Sequence, residues 1–186
     1  METLKLIHLL PEWQTALREM AEDYRAAGEN RHDCIFNMND EGFYAFLRGL
    51  EDESIDESLP AHMVPQTTYW VVRNDRNLIG SACVRHRLTR VLEHEGGHIG
   101  IDIRPSERGK GYGEKTLMLA LEKAAQLGLD KVLITCDADN QPSINIIEKN
   151  GGVLKDEVIS RRSGKPIRHY WTMTGLSPET IPEETH

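Results

Sequence analysis

The stretch from residue 99 to residue 136 constrains this chain most, because it joins a strand period to a helix period through a turn that needs glycine. Ile99, Ile101 and Ile103 alternate with Gly100 and Asp102, which predicts a strand, and Pro105 stops it. Arg108-Gly109-Lys110-Gly111-Tyr112-Gly113 follows at once. From there Leu117, Ala120, Leu121, Ala124 and Ala125 keep the i, i+3, i+4, i+7, i+8 spacing of a core-facing helix, which Gly128 closes. Val132 to Cys136 is short, apolar and partly β-branched, so it predicts a buried strand, parallel to the first across the helix.

Three glycines at a strand-to-helix junction let successive main-chain N–H groups converge on one point. These are the donors that a helix leaves unpaired in its first turn, and the helix dipole adds roughly half a positive charge there. The junction therefore predicts a phosphate or diphosphate cradle. It lacks the lysine and serine or threonine of a P-loop, and its spacing is Gly-x-Gly-x-Gly rather than the dinucleotide Gly-x-Gly-x-x-Gly.

A main-chain cradle suits the composition. The formal charge of -8 disfavours non-specific nucleic-acid binding, which depends on lysine and arginine displacing phosphate counterions. With 39% hydrophobic and 28% charged residues, a packed core is expected, and 186 residues predict one domain. Within residues 1–186 we expect acceptor-side helices over 1–66, a cofactor-binding core over 67–174 and a tail over 175–186. The apolar runs are far shorter than the roughly 18 residues of a membrane span, and Met1 to Leu10 lacks a signal-peptide pattern, so a cytoplasmic protein with no membrane partner is expected. Cys34, Cys83 and Cys136 are too few and too widely spaced for a disulfide framework or a cysteine zinc site.

Elsewhere, Leu4 to Leu9 reads as a strand, and Trp13, Leu17, Met20 and Tyr24 form a helical stripe ended by Gly28. Phe43, Leu47 and Leu50 mark a second helix, which runs into the acidic stretch Glu51 to Glu57, a solvated helix end. Thr67 to Val72 and Leu78 to Leu88 flank Asn74-Asp75-Arg76-Asn77 as a hairpin. Asp139 or Asn140 caps a helix begun by Pro142, carrying Ile144 and Ile147 inward and stopped by Gly151-Gly152. Val153 to Ser160 and Pro166 to Thr174 form a closing hairpin through Ser163-Gly164.

The run Ile103 to Gly113 resembles the Arg/Gln-x-x-Gly-x-Gly/Ala signature of the GCN5-related N-acetyltransferases, with Arg108, Gly111 and Gly113 at the matching positions. The resemblance continues through Asp137 to Ser143 and Glu148 to Gly152, similar to the family's Asn-x-x-Ser and Glu-Lys-x-Gly segments, and covers residues 67–174 well. It implies an α/β (α+β) fold: a mixed, mostly antiparallel central sheet with a strand-helix-strand cofactor core and flanking helices. It also implies acetyl-CoA as cosubstrate, no metal, and transfer of the acetyl group to an amine of a small molecule or peptide. A homodimer is compatible with it. By resemblance, Ile101, Asp102 and Ile103 pair with the pantetheine arm, Arg108, Gly109, Lys110, Gly111, Tyr112 and Gly113 hold the diphosphate, and Asn140, with Ser143 beside it, contacts the cofactor.

An alkylamine with a pKa of about 10.4 is neutral in only about one molecule in a thousand at pH 7, so deprotonation must be arranged. Glu95 and His98, just before the first strand, are candidate bases, and main-chain amides near Ile101 to Ile103 are candidate donors to the thioester carbonyl. The family often places a tyrosine as acid in the helix after Asn140. This chain has Ile147 there, which makes Ser143 and Tyr170 the candidate acids. A buried thiol is the simpler reading of Cys136. Two rivals stand beside this one. A coenzyme A-binding module without transfer is compatible with Ile147. A zinc hydrolase is spelled by His94-Glu95-Gly96-Gly97-His98, but the two glycines cost the required helix about 2 kcal/mol relative to alanine.

Overall fold

The computed structural model describes residues 2–60 and 62–175. Its elements are β1 (Leu4–Ile7), α1 (Gln14–Ala26), α2 (Asp40–Asp52), β2 (Gln66–Arg73), β3 (Asn77–Arg85), α3 (Arg90–His94), β4 (Ile99–Ile103), α4 (Tyr112–Gln126), β5 (Lys131–Asp137), α5 (Gln141–Lys149), β6 (Val153–Ile159) and β7 (Pro166–Met173). Residues 176–186, most of the expected tail, lie outside the described residues.

The β2–β3 hairpin forms as expected, because Asn74 and Asp75 both take positive φ, which their short polar side chains tolerate. β2 is buried on both faces. Trp70 and Val72 meet Leu17, Met20 and Tyr24 of α1 and Phe43 of α2, whereas Tyr69 packs with Leu117 and Leu121 of α4. Helices on both faces thus hold the sheet between them, which explains why β2 reads as a continuous apolar run. The acidic stretch sits at the end of α2 and beyond, where Glu53 accepts from the Gln66 side chain and Asp56 pairs with Arg87.

One expectation is corrected. Among the described residues β4 and β5 form no parallel ladder: the strands order as β1-β2-β3-β4 in one sheet and β5-β7-β6 in another, and every ladder is antiparallel. β7 therefore sits between β5 and β6. The two sheets are joined where the His98 N–H donates to the Leu133 carbonyl at 2.7 Å and the Leu133 N–H donates to His98 Nδ1 at 2.9 Å, with Gly96 N–H reaching Thr135 Oγ1 at 3.3 Å just before. The imidazole takes the place of a ladder carbonyl. Beyond it the strands separate around a small cavity of about 120 Å³, lined by Gly100, Ile101, Ile134, Thr135 and Ser143 among others.

Gly97 lets the chain come this close. It has φ +66, and a Cβ there would lie 2.5 Å from the Leu133 carbonyl oxygen. Gly97→Ala should therefore destabilise the fold by about 2 kcal/mol or more, lowering the melting temperature by roughly 4–8 °C. Gly100→Ala, whose Cβ meets open space, should leave melting nearly unchanged. Differential scanning calorimetry of both variants checks this.

Candidate active site

The turn between β4 and α4 is built so that its main chain, not its side chains, faces outward. Gly109 (φ 75) and Gly111 (φ 81) take left-handed conformations, and a Cβ on either would meet nothing within 4 Å. The N–H groups from Gly109 to Glu114 have no protein acceptor among the described residues, as expected of a helix N-terminus. The neighbouring side chains turn away. Lys110 pairs with Glu107 at 3.0 Å, and the buried Tyr112 bonds Glu2 and Arg73 through its hydroxyl. A Cβ on Gly113 would press on the Ile146 side chain at 2.7 Å, so glycine there lets α4 approach α5.

Arg108 behaves differently from a side chain gripping an anion. Its guanidinium makes a two-pronged contact with Glu29 (2.6 and 2.9 Å), and its Nε donates to the Ile103 carbonyl at 2.8 Å. The arginine, foremost by hydrogen bonding, holds the Glu29 carboxyl below the usual carboxylate range. Asp102, placed on the same strand, points to the N-terminal helices: the buried Tyr24 hydroxyl donates to it, and Arg31 lies 3.3 Å away. Burial foremost, then this contact, pushes the Tyr24 phenol upward.

The register of β4 separates Ile101, Asp102 and Ile103 by role. Arg104 N–H donates to Ile79, and Arg85 N–H donates to the His98 carbonyl, so Gly100, Asp102 and Arg104 turn their peptide groups toward β3. Ile99, Ile101 and Ile103 turn theirs toward β5, across the wedge where no ladder forms. Asp102 contributes neither its ladder-bound main chain nor its side chain to that wedge.

Where the wedge ends, a cleft of about 750 Å³ opens, lined by Glu95, Thr135, Cys136, Asn140, Arg161 and Arg162 among others. Ser143 lines both spaces. Asn140 caps α5, its Oδ1 accepting from the Ser143 N–H at 3.1 Å, which fixes this serine at the junction. Glu95 accepts from the Ser160 hydroxyl at 2.6 Å and lies 3.5 Å from Arg162; the Ser160 bond is the chief reason its carboxyl sits below the usual range. Cys136 carries a thiol pushed up to about 11 by burial, so it stays protonated at neutral pH and is a poor nucleophile.

The other candidates lie apart. His98 is buried in the β4–β5 junction and does not line the cleft, and burial lowers its pKa. Tyr170 is fully buried in the core cluster that holds Ile147, with its hydroxyl 3.3 Å from Glu148. The zinc pattern fails on geometry. α3 ends at His94, Glu95 is extended (φ -152), and Gly96 and Gly97 take positive φ, so the two imidazoles do not share a helix face. His98 Nδ1 is already an acceptor for Leu133, and His94 Nε2 lies 3.1 Å from the Ile159 carbonyl.

A model of the acetyltransferase (GNAT) family matches residues 13–152. The chain belongs to that family. It is accordingly an acyltransferase, and solved GNAT structures share its fold. The Microcin C7 self-immunity acetyltransferase MccE, in complex with acetyl-CoA and AMP, superposes with TM-score 0.65 at 12% identity, covering 91% of this chain and 92% of that one. An acetyltransferase from Salmonella typhimurium that modifies the N-terminal serine of a 50S ribosomal subunit protein gives 0.60 at 15% identity over 92% and 95%. A spermidine N-acetyltransferase SpeG chimera from Vibrio cholerae and hSSAT gives 0.60 at 14% identity over 92% and 95%. No curated protein matches the sequence. Among the described residues no helix is long and apolar enough to cross a membrane.

Sequence reasoning overlooked Ser160, Arg161, Arg162 and Arg85. The adjacent arginines in a predicted hairpin turn were the available signal, but nothing local ties them to Glu95, which is 65 residues from Ser160. Removing the Ser160 hydroxyl should let the Glu95 carboxyl rise toward its ordinary pKa of about 4.3. If ionised Glu95 is required, the acid limb of the kcat/KM profile of Ser160→Ala moves to higher pH, which a pH–rate series measures.

Proposed function

We propose that the chain transfers the acetyl group of acetyl-CoA to an amine that enters the cleft beside Glu95. What supports this reading most is that α4, which begins at the amide cradle of Gly109–Glu114, lends Leu117 to the wedge between β4 and β5, and that the wedge shares Thr135 and Ser143 with the cleft. The diphosphate belongs on the cradle, the pantetheine arm in the wedge against Ile101, and the thioester at the junction. Acetyl-CoA supplies an activated acyl group and a good thiolate leaving group.

The residues supply position and proton handling. Ile101 offers a main-chain N–H on the wedge side to polarise the thioester carbonyl. Glu95, ionised at neutral pH, attracts the ammonium form of the acceptor. A carboxylate is too weak a base to take a proton from an ammonium outright, at a gap of roughly 6 pK units or about 8 kcal/mol. The neutral amine attacks instead. As the new N–C bond forms and the C–S bond breaks, the nitrogen proton becomes acidic enough for Glu95 or a water held by it to receive. Ser143, a hydroxyl that lines both spaces, hydrogen-bonds the departing thiolate, whose thiol has a pKa near ~8.5 and which takes its proton from water.

The second reading, a coenzyme A-binding module, is favoured only by the buried Ile147 where the family often has a tyrosine. Consumption of acetyl-CoA with an amine panel separates the two, since release of coenzyme A that depends on amine excludes a silent module. Gly111→Val, which strains a φ +81 position and projects a side chain at the cradle, should raise the KM for acetyl-CoA about tenfold or more. Ser143→Ala should lower kcat about tenfold, and Tyr170→Phe should leave it unchanged if the buried phenol takes no part. Steady-state kinetics of the three variants is the measurement.

A further inference from the structure

The cleft does not share the charge of the chain that forms it. The protein carries a formal -8, yet the charged residues lining the cleft are Arg85, Arg161 and Arg162 against Glu95 and Asp137. They come from separate elements that meet at the cleft: Arg85 ends β3, Glu95 follows α3, Asp137 ends β5, and Arg161 and Arg162 stand together on the turn between β6 and β7.

The arginines differ in their commitments. Arg85 donates to the Gly97 carbonyl at 2.9 Å, which fixes it without neutralising it. Arg162, its side chain 88% exposed, lies 3.5 Å from Glu95. Arg161 has no ion pair or side-chain hydrogen bond among the described residues.

A buried hydroxyl builds the turn that carries them. Ser160 Oγ accepts from the N–H groups of Arg162 (3.2 Å) and Ser163 (3.0 Å) while donating to Glu95. One side chain thus sets the arginine-bearing turn and the carboxylate in fixed relation. A carboxylate standing beside two guanidinium forks complements a molecule that carries a cationic and an anionic group close together.

We propose that the acceptor is an amine that also carries a carboxylate or phosphate group near its amino group, the amine at Glu95 and the anion on the adjacent Arg161 and Arg162. This rests on the reading of the cleft as the acceptor site and narrows the substrate class. A polyamine meets an unfavourable field at the same turn, so the spermidine chemistry named for one fold neighbour does not carry over.

The test uses the full chain, saturating acetyl-CoA and matched amines: amino acids against their amides, ethanolamine phosphate against ethanolamine, and spermidine. The anionic member of at least one pair should show kcat/KM about tenfold higher or more, and the carboxylate and phosphate arms tell which anion is read. The double variant Arg161→Ala with Arg162→Ala should raise the KM for that amine about tenfold and reduce the preference within the pair, while the KM for acetyl-CoA stays unchanged. Lysine at both positions should restore part of the preference. Equal or better turnover of the neutral amines or spermidine would overturn the proposal. So would failure to acetylate any anionic amine by a protein that acetyl-CoA stabilises in a thermal melt. Absence of that stabilisation removes the cofactor reading and this inference with it, and the melt tells the two failures apart.

Discussion

The reciprocal hydrogen bonds between His98 and Leu133 are the interaction on which the rest of the molecule depends. They bring two antiparallel sheets together at one backbone rung. An edge strand with unsatisfied peptide groups is ordinarily a liability. Here the exposed side of β4 faces β5 across a narrow gap, so the peptide groups of Ile101 and the N–H of Ile103 are sheltered from other chains while open to a thin, extended ligand. A full parallel ladder would close that gap. Gly97, whose lack of a side chain admits the Leu133 carbonyl, is therefore as much a part of the site as any polar residue.

The outer end of the gap is tied to the N-terminal helices. Arg108 joins the glycine turn to Glu29 and, through Ile103, to the end of β4, while Asp102 on the same strand receives Tyr24 and Arg31. Charge that would otherwise converge on an anion is spent within the protein, and binding falls to the main chain. This agrees with an acidic protein that offers few free cations.

Much of this was legible in the residues, wherever a signal was local. Alternation placed β4, glycines with an apolar stripe placed α4, and Asn140 was recognisable as a cap because short polar side chains satisfy first-turn amides. What failed was non-local. A period of two cannot say which strand lies beside which, so β5 was expected to run parallel to β4 across the helix, and its ladder with β7 was not foreseen. Nor does spacing reveal where a side chain points, so Asp102 and Arg108 were read as facing the cofactor, and His98 as free to act on the acceptor. The short α3 was also missed, since Thr89 caps only five residues before Gly96 and Gly97 break the pattern.

The account's central claim, that main-chain amides at the start of α4 hold the diphosphate while β4 lines the arm, can be tested residue by residue. Titration of isotopically labelled protein with coenzyme A, followed by amide resonances, should shift Gly109 to Glu114 together with Ile101 and Ile103. Pantetheine, which lacks the diphosphate, should perturb the strand and spare the glycine turn. Saturating coenzyme A that leaves the amides of Gly109 to Glu114 unmoved would contradict the account.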